Sequence, residues 1–241
     1  MVATNESFGS SIVAVGNFNP PIFSPDWLCK NGLIGEGDVE SAQKAPSYAI
    51  THDICRFETE WFVLQVVAEQ FSLTSKGALT PLLKDLAMGI FTIIDHTPVK
   101  AIGLNFEANY KMSTYDELHK IGDALVPKNI WHKIYPDTEN QSVGMANLIV
   151  SIEPYKRNEK PASENKKNIS VRRSPATHDG IYFSFNDHYS IRKDDISKVS
   201  PANFRIYGKA SDKILAFSNC SGVGNTIALG SFCVTVSISF L

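Results

Sequence analysis

Residues 95–112, DHTPVKAIGLNFEANYKM, decide the reading of the fold. From Ile102 in steps of two, Ile102, Leu104, Phe106, Ala108, Tyr110 and Met112 line one face of an extended chain; Gly103, Asn105, Glu107, Asn109 and Lys111 line the other. A strand with one apolar and one polar face belongs to a sheet covered on one side only, which is the usual condition of an antiparallel sheet under a helical layer.

The flanking sequence supplies that layer. Before the strand, Thr80 suits a helix cap and Pro81 the first helical position, and Leu82, Leu83, Leu86, Ala87, Ile90, Phe91 and Ile94 form a helical stripe. After it, TYDE at residues 114–117 matches a capping box. Leu118, Ile121 and Leu125 follow as an apolar stripe, with Pro127 as the stop.

Strands are expected on both sides of this unit. Residues 11–18 alternate as a first strand, and residues 53–73 read as a central strand with apolar residues on both parities. Residues 19–50 are rich in Pro, Gly and Asn but carry Ile22, Phe23, Trp27, Leu28, Leu33 and Ile34, a long loop anchored by its own side chains. Later strands fall in SVGMANLIVSIEP, ISVRRS and IYFSFNDHYSI, the last preceded by an Asp179-Gly180 turn and alternating Ile181, Phe183 and Phe185 with polar partners. Residues 154–168, charged and apolar-poor, read as an exposed hairpin loop. The expectation is one α+β domain over residues 1–241, two-layered, with a mainly antiparallel sheet and two principal helices on one face. No internal repeat is visible in the sequence.

Composition bounds function more by exclusion. With 43% hydrophobic and 20% charged residues and a net charge of -2, the chain is globular and has no global attraction to nucleic acid or anionic lipid. Cys29, Cys55, Cys220 and Cys233 show no C-x-x-C pair and read as reduced thiols in a cytoplasmic protein without a signal segment. Residues 214–241 carry no charge, yet Ser, Asn and Gly interrupt them too often for a membrane span; they read as a buried or interface strand and a pointer to self-association.

Catalytic signatures are absent: there is no G-x-S-x-G, and GVGN at residues 222–225 lacks the rest of a phosphate loop. Four histidines neighbour an aspartate, at His52-Asp53, Asp95-His96, His178-Asp179 and Asp187-His188, without metal-ligand spacing. Glu58 and Glu60, with Glu107 across a neighbouring strand, are the carboxylates from which a metal-dependent hydrolase or nuclease would be built. No metal or cofactor is assigned. The basic run gives a nucleic-acid alternative through Lys156, Arg157, Lys166, Lys167, Arg172 and Arg173.

CRFETEWFVLQV, LKDLAMGIF and HTPVKAIGLNF, followed by the second helix and Trp131, make the chain resemble a sporadically distributed, uncharacterised family of prokaryotic proteins over residues 13–131. The resemblance implies a bacterial or archaeal cytoplasmic origin and carries over no functional residue. The functional expectation is a non-catalytic interaction or assembly protein. It would be a homo-oligomer or a subunit of a bacterial complex such as a defence or toxin-neutralising system, using the polar sheet face of Asn105, Glu107 and Asn109.

Overall fold

The computed structural model describes residues 3–77, 81–135, 143–153 and 165–190. In chain order it runs β1 (Ala3–Gly16), a 3-10 turn (Pro20–Phe23), α1 (Pro25–Lys30), α2 (Glu36–Lys44), β2 (Ala49–Ile50), β3 (Ile54–Glu58), β4 (Phe62–Val67) and β5 (Gln70–Ser75). Then follow α3 (Pro81–Ile93), β6 (Val99–Met112), α4 (Tyr115–Leu125), α5 (Lys128–Ile134), β7 (Asn147–Ile152), β8 (Asn165–Arg173) and β9 (Gly180–Ser190). The nine strands make one sheet in the order β2-β3-β4-β5-β1-β6-β9-β8-β7, antiparallel at every described pairing.

The α+β architecture is the expected one. On β6, Ile102, Leu104 and Phe106 join Ile12 and Ala14 of β1 and Leu83, Leu86, Ala87, Ile90 and Phe91 of α3 in the larger core. Further along the same face, Ala108, Tyr110 and Met112 pack with Leu118 and Ile121 of α4 and with Val171, Ile181 and Phe183 in a smaller core. All six β6 residues are even-numbered, so both helices cover one side of the sheet. Thr114 caps α4 as its sequence predicts, its hydroxyl accepting from the Glu117 N–H at 3.3 Å.

Residues 53–73 form three strands, not one. Buried Phe57 is odd-numbered, buried Phe62 and Leu64 are even, and buried Phe71 and Leu73 are odd again. Each tight turn shifts the parity of the inward face, which is why the segment looks apolar on both parities. At the first turn the buried Thr59 hydroxyl accepts from the N–H groups of Trp61 and Phe62, at 3.4 and 3.2 Å. The Trp61 ring N–H donates to Asp38 of α2 at 3.0 Å, tying the turn to the long connection after β1.

That connection, expected as an anchored loop, holds the 3-10 turn, α1 and α2 as well. Phe23, Leu28 and Ile34 are its buried anchors, whereas Ile22 is exposed. Pro25 starts α1 and the Ser24 hydroxyl accepts from the Trp27 N–H, so short local signals suffice for a helix of six residues. α5 is a further addition: it starts just after Pro127, buries none of its residues and has no stripe that marks it in the sequence. The expected cap Thr80, residues 154–164 of the charged hairpin and the uncharged stretch 214–241 lie outside the described residues; residues 165–168, expected as the end of that hairpin loop, instead begin β8 and pair with β9.

Two contacts close the centre. At the end of β5 the buried Ser75 hydroxyl accepts from the Ser10 N–H at 3.0 Å and reaches the Ser10 carbonyl at 3.2 Å, continuing the β1–β5 ladder with a side chain. Where β1 ends, the Asn17 N–H donates to the Pro98 carbonyl at 3.0 Å, and a Cβ on Gly16 would collide with that carbonyl.

Adjacent β6 residues should therefore respond oppositely to truncation. Leu104→Ala removes a fully buried side chain and is expected to cost about 2–5 kcal/mol in urea unfolding, whereas Asn105→Ala, on the other face, should cost well under half of that.

Candidate interaction surface

The opposite face of the sheet carries no described helix from either core. Register places its side chains in rows across the strands. One row runs Glu58, Val63, Thr74, Ser11, Asn105, Asn186, Asn168 and Ser151, from β3 to β7. At its centre the Asn105 amide donates to the Ser11 hydroxyl at 3.1 Å, and the Asn186 amide donates to the Asn105 carbonyl oxygen. Two pairs further along, the Asn109 amide donates to the Ser7 hydroxyl at 3.0 Å and its oxygen accepts from Ser174 at 2.7 Å. The β1–β6 junction thus bears two cross-strand Ser–Asn links with Gly9 and Glu107 between them.

Charge on this face is mixed. Arg172 stacks its guanidinium over the Tyr182 ring at 4.7 Å, and burial together with the Glu107 charge raises the Tyr182 phenol above its ordinary pKa. Lys166 pairs with Glu153 at 3.3 Å, and Glu58 with Lys76 at 2.9 Å. The hydrogen bond and charge of Lys76 hold the Glu58 carboxyl below the usual carboxylate range.

All three residues expected on the polar face are on it: Asn105, Glu107 and Asn109. Sequence reading missed Ser7, Ser11, Tyr182 and Asn186, their cross-strand neighbours. The alternation of β9, which puts Tyr182, Ser184, Asn186 and His188 on one face, was the available signal; the register that sets them beside β6 was not.

The basic residues do not form one patch. Lys156 and Arg157 lie outside the described residues. In β8, consecutive side chains take opposite faces: Lys166 and Arg172 share the open face, while Lys167 pairs with Asp187 on the helix side at 3.0 Å and Arg173 donates to the Tyr115 hydroxyl at 2.7 Å.

The carboxylates do not gather either. Glu60 sits in the turn after β3. Glu58 on β3 and Glu107 on β6 are not on neighbouring strands; β4, β5 and β1 lie between them, which at the usual strand spacing is about 19 Å. His52–Asp53, His96–Asp95 and His178–Asp179 are local contacts of 3.2, 3.7 and 2.9 Å, and Asp187 and His188 point to opposite faces. Among the described residues no three His, Cys, Asp or Glu side chains come together as a metal site. Cys55 is buried, its thiol donates to the Phe23 carbonyl at 3.4 Å, and burial pushes its pKa up to about 12, so it is a core residue and not a nucleophile. No described helix is long and apolar enough to cross a membrane.

Because Lys76 lowers the Glu58 pKa, the pair's stabilisation is complete above the ordinary carboxylate pKa and is lost as pH falls through the lowered value. Lys76→Met should return the Glu58 titration upward toward the ordinary range in a carboxyl-carbon NMR titration; an unchanged midpoint would mean that the contact is not held in solution. Neither a family model nor a curated protein matches the chain.

Proposed function

We propose that this is a non-catalytic interaction protein that self-associates through the open sheet face. The observation that supports this reading is the Ser11–Asn105–Asn186 ladder at the centre of a broad face that no described helix covers. Each Asn amide carries both donors and an acceptor, and the surrounding charges are of both signs, so the face can pair with a second copy of itself across a two-fold axis. A surface built for a strongly charged partner would carry one sign. The half-buried Ser, Thr, Asn and Gln side chains give a shallow, hydrogen-bonding platform, in keeping with the polar interfaces of associations that form and dissolve.

Nucleic acid is the second reading, favoured by Lys166, Arg172 and the three asparagines Asn105, Asn168 and Asn186 on one face, the residue types that contact phosphates and minor-groove edges. Glu107 and Glu153 oppose it by placing negative charge beside those two cations.

Light scattering coupled to size exclusion tests the proposal. The protein should elute as a defined oligomer free of nucleic acid, and Asn105→Arg, which places a cation at the centre of both copies, should shift it to monomer by tenfold or more in dissociation constant, whereas Asn105→Ala, which loses the same hydrogen bonds without adding charge, should shift it far less. A strict monomer before substitution excludes self-association; a monomer that carries nucleic acid transfers the face to the second reading.

A further inference from the structure

The sheet ends differently at its two edges. β2, at one end, has two residues; β7, at the other, has six, and among the described residues no strand pairs with its outer side. The backbone N–H and C=O groups along such a side form a template for another strand, and an edge that must stay alone is usually guarded by a charge, a proline or a bulge. β7, NLIVSI, has none of the three. Asn147–Ile152 holds no charged residue and no proline, and its register with β8 runs without a shift. Ile149 is 65% exposed and Val150 41%.

The side chains of β7 complement their own reverse. Register with β8 puts Asn147, Ile149 and Ser151 on the open face, and Leu148, Val150 and Ile152 on the helix side. Strands that pair antiparallel about a two-fold axis normal to the sheet keep both faces in common, so an even-numbered residue meets an even-numbered one. With the axis through Val150, Leu148 lies opposite the partner's Ile152 and Val150 opposite the partner's Val150, an unbroken apolar row on the helix side. On the open face Ile149 lies opposite the partner's Ser151, and at each end Asn147 lies opposite the partner's Glu153. The Asn147 oxygen already accepts from the Ser170 hydroxyl at 3.1 Å, which leaves its amide N–H groups as donors. Glu153 accepts from the Ser151 hydroxyl at 3.2 Å and pairs with Lys166 at 3.3 Å, a carboxylate held at the end of the strand. An amide donor thus meets a carboxylate at both ends, and no like charges face each other. An axis through Ile149 would give up both of these ends and set Glu153 against the partner's Met145.

We propose that β7 pairs with β7 of a second copy of this chain about the axis through Val150, so that the sheet continues through both. Three observations select a second copy over a foreign strand. The edge is long and unguarded, its apolar row matches its own reverse, and its two end residues supply the donor and the acceptor that the same residues of the partner require. With only six strand residues a side the contact is short, which suits an association that forms and dissolves. The axis leaves both open faces uncovered and turned the same way. The edge contact and the open-face contact therefore use different axes, and neither depends on the other.

The test uses the full chain and the position that meets itself. Val150 belongs to neither core, so Val150→Lys and Val150→Glu leave the packed interior alone. Two ammonium groups across the axis repel, as do two carboxylates, whereas one of each attract. In sedimentation velocity, each variant alone should raise the dissociation constant of the contact at least tenfold, and an equimolar mixture of the two should associate at least tenfold more tightly than either alone. The same charges carried on an Asn105→Arg background should behave alike, which separates this contact from association through the open face. A wild-type chain that stays monomeric, single variants that associate as the wild type does, or a mixture no tighter than its components would overturn the proposal.

Discussion

The pairing of β1 with β6 is the constraint on which the rest of the molecule depends. It joins residues distant in the chain, Ala3–Gly16 with Val99–Met112, along almost their full length, with irregularities near Asn5 and at Gly16. Each of the two strands anchors one meander, so all nine strands take their position from this contact. The pairing also fixes both faces at once, because a slip of one residue would turn Ile12, Leu104 and Phe106 to the open side and Ser11 and Asn105 into the core. Contacts of such separation close late, after local hairpins can already form. The Ser75 hydroxyl on the Ser10 backbone and the tight passage of Gly16 under Pro98 fasten the pair at the points where its neighbours stop.

The parts of this design legible in the sequence are those governed by local period. The alternation of residues 102–112, the stripe of α3 and the Thr114 cap each express an element's relation to the core, and each reads correctly from composition and spacing except at Leu82, which the spacing counts in the stripe but which is exposed at the start of α3. What was not legible depends on partners. The parity of Phe57, Phe62 and Phe71 makes sense only once two turns are placed, and α5 has no buried face to leave a periodic trace. The order of the strands in the sheet left no local signal either: four strands, β2 to β5, follow the helices after β1 and three, β7 to β9, follow those after β6, and only their pairing sets them on the two sides of β1 and β6.

The candidate surface divides along the same line. Asn105, Glu107 and Asn109 could be assigned to a polar face from β6 alone, but their hydrogen-bonding partners lie on β1, β9 and the turn before β9. Adjacent charges in sequence misled for a physical reason. In a strand, Lys166 and Lys167, or Arg172 and Arg173, are separated by the thickness of the sheet, so a basic run of sequence becomes two opposed sets of ion pairs and stacking contacts. The His–Asp neighbours behave in the same way: each pair satisfies itself locally or splits across the sheet, and proximity in sequence brings no two pairs together.

A sheet with one helical and one bare face must solve two solvent problems, and this molecule solves them differently. On the bare face, polar side chains bond one another across strands, which leaves few apolar groups to wet and shields the ladder beneath; Val15 and Ile149 are the large exceptions. On the helical face the strands beside β1 are buried throughout, whereas toward β7 Ile169 and Leu148 are only partly buried and Val150 and Ile152 belong to neither core. The edges follow the same division. β2, at the dry end, is only two residues long and offers little backbone for pairing, whereas β7, at the thin end, presents six residues with Ile149 and Val150 exposed. Among the described residues no strand pairs with the outer side of β7, and a six-residue edge with exposed β-branched side chains is the kind that invites pairing.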